Sequence, residues 1–285
     1  MKSNLISIEN NNVVFENTLN EVVDINKLNK IELRLFYALV MSVHNKGTEL
    51  IILNLKELKE TTRYKKTSKS EWENVIDKTL TKILPLFWKK RINNKLEMMM
   101  LFRRLSYNFE DDSLIIQINN GSEFIFNDIK KTFTKFGWAS FVRLNSKYAQ
   151  LLFPHLQQYN SIGKRIFTKN ELMKLLDLPV SLKEQKNLNG RVINPIKKEL
   201  SEVFIDFEVI AHRGRGKGRP VEAYEFRWNN DNHKARIEQK QQKEAAKERK
   251  EFQDSFRNGD NNEPNPNDYY DWVGKLKEDL ELSKN

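Results

Sequence analysis

Residues 204–228 read FIDFEVIAHRGRGKGRPVEAYEFRW and carry the strongest structural signal in the chain. Two runs of alternating apolar and polar residues flank a segment in which a basic residue alternates with glycine. Strict alternation is typical of β-strands, so the stretch predicts a hairpin with one apolar face on each strand. The residues of these two faces are Ile205, Phe207 and Val209 on the first strand, and Tyr224, Phe226 and Trp228 on the second.

The tip of this hairpin is predicted to bind DNA phosphates. Its basic residues are Arg213, Arg215, Lys217 and Arg219. Glycine lets a backbone approach a ligand closely, and cations gain free energy by releasing the counterions condensed on a nucleic acid. The alternative is a solvated, mobile loop. We favour binding because the strands fix the tip in space and a basic helix precedes them.

The composition favours about two domains and an acidic partner, either nucleic acid or a membrane surface. The chain has 285 residues, a net charge of +10 and a pI near 9.4, which together favour an acidic partner such as nucleic acid. No segment is long and apolar enough to span a bilayer, so we expect no membrane association. Cysteine is absent, which excludes disulfides and thiolate zinc sites and is consistent with a cytoplasmic protein.

The first half of the chain predicts three helices followed by a hairpin. Apolar residues recur every four positions in 30–44, Asn54 with Glu57 resembles a capping box, and a third apolar stripe runs from Trp72 to Phe87. Segments 95–109 and 114–118 are predicted strands. This order is that of a winged helix-turn-helix domain.

The same order repeats in the second half. Leucines at helical spacing occupy 144–159, Thr168 and Glu171 form a capping box, and a third helix precedes the cationic hairpin. We therefore predict an α+β fold with two tandem winged helix-turn-helix domains. The predicted boundaries are a flexible N-terminal segment at 1–21, domain 1 at 22–131, domain 2 at 132–230, and a helical or disordered tail at 231–285.

The third helix of the second repeat is the predicted base-reading element. Its inner stripe is Leu188, Val192, Ile196, Leu200 and Val203, and its opposite side holds Asn187, Arg191, Asn194 and Lys198. Arginine matches guanine and asparagine matches adenine in the major groove. An ordinary solvated helix face is the alternative. Pro195 either kinks this helix or lies in the first turn of one that begins at Asn194, and the continuous stripe favours the kink.

The equivalent helix of the first repeat is less suited to DNA. Its outward positions include Glu73 and Asp77 beside Lys78 and Lys82, and carboxylates repel phosphates. We expect domain 1 to contact only the DNA backbone or to mediate self-association.

Segment 133–159, FTKFGWASFVRLNSKYAQLLFPHLQQY, resembles the initiator Rep proteins of iteron-containing, theta-replicating plasmids. The matching residues are Phe133, Thr134, Leu144, Ser146, Lys147, Tyr148, Leu151 and Leu152. Segment 191–200, RVINPIKKEL, is similar to that family's recognition helix, and the Gly-Arg hairpin to its wing. Lys147 and Lys197, within these segments, are further candidates for contact with the DNA backbone.

The resemblance implies a protein that binds direct repeats at a plasmid origin and recruits the host initiator and replicative helicase. It also implies a dimer, formed through domain 1, that represses its own promoter at an inverted repeat. The residues alone lead only to a two-domain, sequence-specific binder of double-stranded DNA. A winged-helix transcriptional regulator without a role in replication is therefore the alternative.

Catalytic motifs are missing from the sequence. No two of the histidines His44, His155, His212 and His233 are one residue apart, which argues against a rolling-circle nickase, and no Walker motif is present. We expect no enzymatic activity, no cofactor and no metal.

The tail combines a charged segment at 234–250, a linker at 258–267 and a short amphipathic helix. That helix is a candidate docking peptide for a replication partner, with folding back onto the protein's own body as the alternative. Its apolar side comprises Tyr269, Trp272, Val273, Leu276 and Leu280.

Overall fold

A computed structural model describes residues 12–129, 132–215 and 218–229. The first part of the chain forms β1 (Asn12–Glu16), α1 (Thr18–Val22), α2 (Lys30–Val43), β2 (Ile51–Asn54), α3 (Leu55–Thr61), α4 (Lys69–Ile83), β3 (Phe87–Ile92), β4 (Lys95–Met100), β5 (Phe102–Asn108), β6 (Ser113–Ile118) and α5 (Glu123–Phe126). The second part forms β7 (Phe133–Gly137), α6 (Trp138–Arg143), α7 (Lys147–Gln157), β8 (Lys164–Thr168), α8 (Lys169–Leu175), α9 (Val180–Lys183), α10 (Gln185–Leu188), a π-helical turn (Asn189–Ile193), α11 (Asn194–Leu200), β9 (Ile205–Arg213) and β10 (Val221–Asn229).

Two winged helices of the same topology confirm the predicted tandem fold. Each has a helix, a strand, further helices and a hairpin, and each forms an antiparallel three-stranded sheet. The strand orders are β2-β6-β5 and β8-β10-β9, so in both sheets the last strand lies in the centre. The boundary between domains at residues 131 and 132 stays a prediction.

Local side-chain signals set several helix starts. The side chain of Asn54 accepts the N–H of Glu57 at 2.9 Å, and Thr168 with Glu171 forms the predicted capping box. Helix α7 begins at Lys147 rather than at Leu144, because the hydroxyl of Ser146 accepts the N–H of Ala149 at 3.4 Å and caps the helix.

The hairpin of the first repeat differs from the prediction. The third helix ends at Ile83 instead of reaching Phe87, because Pro85 has no N–H with which to continue the helical hydrogen bonds. The predicted strand 95–109 is two strands, β4 and β5, separated by the buried Leu101. Strand β4 pairs with β3 in a hairpin that the second repeat lacks, and an apolar pattern does not show where a strand changes its partner.

The flexible segment predicted at 1–21 is wrong for residues 12–21. Strand β1 pairs antiparallel with β7 over Asn12–Glu16, and Val13 and Phe15 are fully buried. Residues 1–11 lie outside the described residues. The sequence did not predict this strand, because its apolar run is short and its partner strand lies far along the sequence.

A continuous row of aromatic rings joins the two winged helices. Phe15 contacts Tyr37 of α2 and Phe136 of β7, with ring centroids 5.9 and 6.2 Å apart. Phe136 contacts Phe153 of α7 at 5.3 Å, and Phe153 contacts Phe204 at 5.5 Å. The row reaches the wing strands through Phe207, Phe226 and Trp228. Rings at these distances contribute more than their buried area alone, so the two repeats share one core.

The start of β9 also differs from the prediction. Phe207 is buried, but Ile205 is 49% exposed and does not share its face. Asp206 has a φ of +53°, and the pairing of β9 with β10 is irregular near Asn229. The left-handed residue turns Ile205 away from the core.

In the described parts of the chain, every helix is too short or too polar to cross a bilayer. The tail and its candidate docking residues, Tyr269, Trp272, Val273, Leu276 and Leu280, lie outside the described residues.

Replacing Phe15 by alanine tests whether β1 belongs to the core. We expect a loss of about 3–5 kcal/mol in the free energy of unfolding, measured by urea denaturation, because a fully buried ring leaves a cavity. Phe133→Ala on the partner strand is the matched control, because Phe133 is 44% exposed, and it should cost well under half as much. Equal small losses from both variants would contradict an integral β1.

Candidate nucleic-acid interface

The predicted base-reading helix is continuous from Gln185 to Leu200 and contains a π-helical turn. Pro195 has no N–H to donate to the carbonyl of Arg191, and the N–H of Asn194 donates to Asn189, five residues earlier. The wide turn accommodates the proline without ending the helix. Of the two alternatives for Pro195, the uninterrupted helix is the one observed.

The wide turn changes which residues the helix buries. Val192 and Ile193 are consecutive and both buried, which an undistorted amphipathic helix would rarely allow. Leu188, Ile196 and Leu200 are fully buried, as the stripe predicts. The π-helical turn accommodates one extra residue, and the apolar side of the helix therefore faces the core both before and after Pro195.

Three of the four predicted base-reading residues are exposed on one helix. Arg191, Asn194 and Lys198 all lie open to solvent. Asn187 does not, because it is half-buried and its amide donates to the carbonyl of Ser181 at 2.9 Å and to Glu184 at 3.3 Å. The side chain of Asn187 therefore stabilises the turn before α10, and it is less exposed than the other three predicted base-reading residues.

A polar network that the sequence did not reveal ties this helix to the wing. The hydroxyl of Tyr224 on β10 donates to Asn189 at 2.9 Å and accepts from Gln185 at 2.6 Å. Gln185 also donates to Asn189 at 2.8 Å and accepts from Lys169 of α8 at 3.0 Å. Burial raises the pKa of Tyr224, so the hydroxyl stays protonated and able to donate.

The wing presents its cations on a tight turn. Arg213, Arg215 and Arg219 are exposed, and Lys217 lies outside the described residues. The turn is closed by the N–H of Gly214, which donates to Pro220 at 2.9 Å, and by Arg213, which donates to the carbonyl of Arg219 at 3.3 Å. These bonds hold the arginine side chains at the end of the hairpin.

Two glycines of the wing differ in what a larger residue at their position would encounter. Gly218 has a φ of +78°, a conformation that disfavours other residues. A Cβ at Gly214 would overlap the side chain of Glu222. Gly218 is therefore required by the backbone of this turn, whereas the flexible end of Glu222 could move aside for a side chain at position 214.

The two further backbone candidates lie in different surroundings. Lys197 is exposed on α11. Lys147 is half-buried, and burial lowers its pKa, while the nearby charges of Asp177 and Glu32 raise it. Lys147 therefore lies at the junction with α2 of the first repeat rather than on an open surface.

Helix α4 of the first repeat is engaged in protein contacts. Lys82 forms an ion pair with the buried Glu32 at 2.7 Å, and Asp77 accepts the hydroxyl of Tyr107 at 2.8 Å. Glu73 lies 3.8 Å from Lys69. Lys82, one of the two lysines beside the carboxylates of this helix, is thus paired with Glu32 of α2.

His155 and the cavity that it lines lie apart from this surface. Burial lowers the pKa of His155 to about 4, and no group of three or more His, Asp or Glu side chains among residues 12–129, 132–215 and 218–229 is arranged to hold a metal. A cavity of about 870 Å³ lies between segment 20–27 and the helices α7 and α8. None of its lining residues is a predicted DNA contact.

Comparison with protein families gives two matches in tandem. The profile described as "Initiator Replication protein, WH1" matches residues 12–157, and the profile "Initiator Rep protein, WH2" matches residues 168–228. The chain belongs to the initiator replication protein family. The first profile includes α6 and α7, which the sequence had assigned to the second domain.

Two individual proteins that match the chain have low sequence identity to it. The chain is 28% identical to the "Probable replication protein rep" of Bifidobacterium longum (strain NCC 2705) over 195 residues, which are 67% of this chain and 65% of that relative. It thus spans just under two thirds of the relative's length. The crystal structure of Pi initiator protein in complex with iteron DNA matches with a TM-score of 0.58 at 15% identity, over 78% of this chain and 98% of that one. At this low identity, the structural match to the Pi initiator supports the fold alone.

Removing the Tyr224 hydroxyl tests the network behind the helix. We expect Tyr224→Phe to lower the free energy of unfolding by about 1 kcal/mol, because two hydrogen bonds are lost while Gln185 still donates to Asn189. Urea denaturation measures the loss, and Tyr107→Phe, which removes an exposed hydroxyl from Asp77, is the control with a smaller effect. No difference between the two variants would argue against a structural network.

Proposed function

We propose that this chain is a plasmid replication initiator that binds repeated origin sequences through its second winged helix. One observation carries the proposal: Arg191, Asn194 and Lys198 are exposed together on one helix. Hydrogen bonds to Tyr224 hold this helix in place, and the wing beside it carries arginines at its tip. Family membership supports the role in replication, and the iteron DNA bound by the Pi initiator suggests the kind of site.

Each element would have its own part in binding. Helix α11 and the π-helical turn enter the major groove, where Arg191 matches the acceptors of guanine and Asn194 the edge of adenine. The wing arginines contact phosphates and add affinity that does not depend on sequence. On the same helix, Lys198 is a further candidate for contact with base edges, and Lys197 adds positive charge near the backbone.

Two arginine variants separate base reading from phosphate contact. Arg191→Ala should cost about 1–3 kcal/mol on the specific site and relax the preference at one base position. Arg215→Ala should weaken all sequences alike and reduce the salt slope by about one. Both quantities come from binding titrations on specific and random DNA at several salt concentrations.

Each variant is the control for the other, because both remove one exposed arginine. Equal losses on specific and random DNA for Arg191→Ala would remove its base-reading role. A loss confined to specific DNA for Arg215→Ala would contradict a phosphate contact at the wing.

We further propose that the protein acts by assembly rather than catalysis. The partners that the family resemblance implies are the host initiator and the replicative helicase. The amphipathic segment with Tyr269, Trp272 and Leu276 is the candidate docking peptide for one of them.

Self-association through the first repeat is the remaining part of the proposal. One face of the hairpin β3–β4 carries four exposed apolar side chains beside Lys89 and Arg91: Phe87 is 40% exposed, Leu96 51%, Met98 53% and Met100 50%. Several exposed apolar side chains on one face favour a protein contact, and a dimer would cover the same patch on both copies.

A carboxylate in this patch tests self-association. Met98→Asp should raise the dissociation constant of the dimer at least about tenfold, because the interface would take the carboxylate out of water and the neighbouring Lys89 would offset only part of that cost. Analytical ultracentrifugation measures the constant. Lys90→Asp, on the opposite face of the same hairpin, is the control, and an unchanged dimer in Met98→Asp would exclude this face.

The alternative function, a transcriptional regulator, differs in the DNA it occupies. We would footprint the full chain on the DNA that flanks its own gene, with random DNA as competitor at fixed salt. Protection of several phased direct repeats supports an initiator. Protection of a single inverted repeat at the promoter supports a regulator, and absence of any sequence preference contradicts both.

A further inference from the structure

A buried arginine links the first winged helix to the turn that precedes α7. Arg34 of α2 is 7% exposed, and its guanidinium donates from Nη2 to the carbonyl of Leu144 at 3.0 Å. From Nη1 it donates to the carbonyl of Thr62, at the end of α3, at 3.3 Å. One side chain thus joins backbone from both halves of the chain.

The base-reading helix holds the same turn from the other side. The carboxylate of Glu199 on α11 accepts the backbone N–H of Asn145 at 2.7 Å and that of Ser146 at 2.9 Å. Arg34 therefore binds the carbonyl of Leu144, and Glu199 binds the next two N–H groups. Glu199 directly follows Lys198, one of the exposed candidates for base contact.

Electrostatics couple Arg34 to Glu199 across this turn. Burial lowers the pKa of Arg34, the positive charge of Arg63 lowers it further, and the negative charge of Glu199 raises it. Arginine stays protonated in proteins, so the two opposite charges attract across the turn. A buried charged group that loses its partners is costly, which makes the arrangement rigid.

We propose that Arg34 and Glu199 are positioning residues that set the orientation in which the first winged helix presents α11 to DNA. This proposal rests on the proposed function, because it assumes that α11 reads bases. It assigns the first repeat a part in specificity that requires no contact between that repeat and DNA.

Three variants of the full chain test the proposal. Arg34→Met keeps an unbranched apolar stem as far as the position of Nε and removes the guanidinium donors. Glu199→Gln keeps the shape of a partly exposed residue and removes the charge. Trp138→Phe is the control, because it removes a different hydrogen bond at the same junction, from Nε1 to the carbonyl of Thr61 at 3.2 Å. Thermal unfolding establishes that each variant is folded before binding is measured.

DNA affinity gives the first measurement. Arg34→Met and Glu199→Gln should each weaken binding to the specific site about tenfold, the cost of hydrogen bonds to a charged group, and leave random DNA unchanged. The double variant should lose little more than either single one, because both residues act through one turn. Additive losses, or equal losses on specific and random DNA, would overturn the proposal.

A distance measurement without DNA gives the second. The chain has no cysteine, so spin labels on Lys78→Cys and Glu202→Cys, both at exposed positions, report the separation of α4 from the end of α11. We expect one narrow distance distribution in the parent and in Trp138→Phe, and a broader or shifted one in Arg34→Met and Glu199→Gln. Unchanged distributions in both would overturn positioning.

Failure of the proposed function has a different signature. In that case the parent protein itself would show no preference for repeated sites over random DNA, whatever the distance distributions are.

Discussion

The row of aromatic rings from Phe15 to Trp228 is the constraint on which the rest of the structure depends. It passes from the N-terminal strand through α2, β7 and α7 to the wing, so the two winged helices cannot separate without exposing it. Many of these rings are fully buried, and each carries a large share of core stability. The orientation of the proposed DNA-binding surface is therefore tied to the folding of the whole described region.

Polar contacts refine what the rings hold together. Tyr224, Gln185 and Asn189 connect the proposed base-reading helix to the wing, and Glu199 connects it to the turn before α7. The π-helical turn at Pro195 lets one helix satisfy both sets of contacts without breaking its apolar side. The exposed side of α11 is left to Arg191, Asn194 and Lys198, whose side chains are then presented by a rigid support.

The sequence predicted what depends on local pattern, and it missed what depends on distant partners. Leucine spacing and the Thr168 capping box located the helices, and alternation located the wing. Strand β1 was missed because its partner β7 is distant, and the hairpin β3–β4 because alternation does not mark where a strand changes partner. At the site, the pattern grouped Asn187 with Arg191, but only the structure reveals its bonds to Ser181 and Glu184. The pairing of Tyr224 with Asn189, and the burial of Lys147, likewise depend on tertiary packing.

Photo-crosslinking from Asn194 tests the central claim most directly, because it reports what the exposed side of α11 touches. A photoreactive amino acid would replace Asn194 in the full chain, and another would replace Ser161, which is exposed outside the proposed surface, as a control. The account predicts crosslinks from position 194 to bases inside the protected repeat and none from position 161. Crosslinks from both positions alike, or none from position 194 on DNA that the protein demonstrably binds, would contradict base reading by this helix.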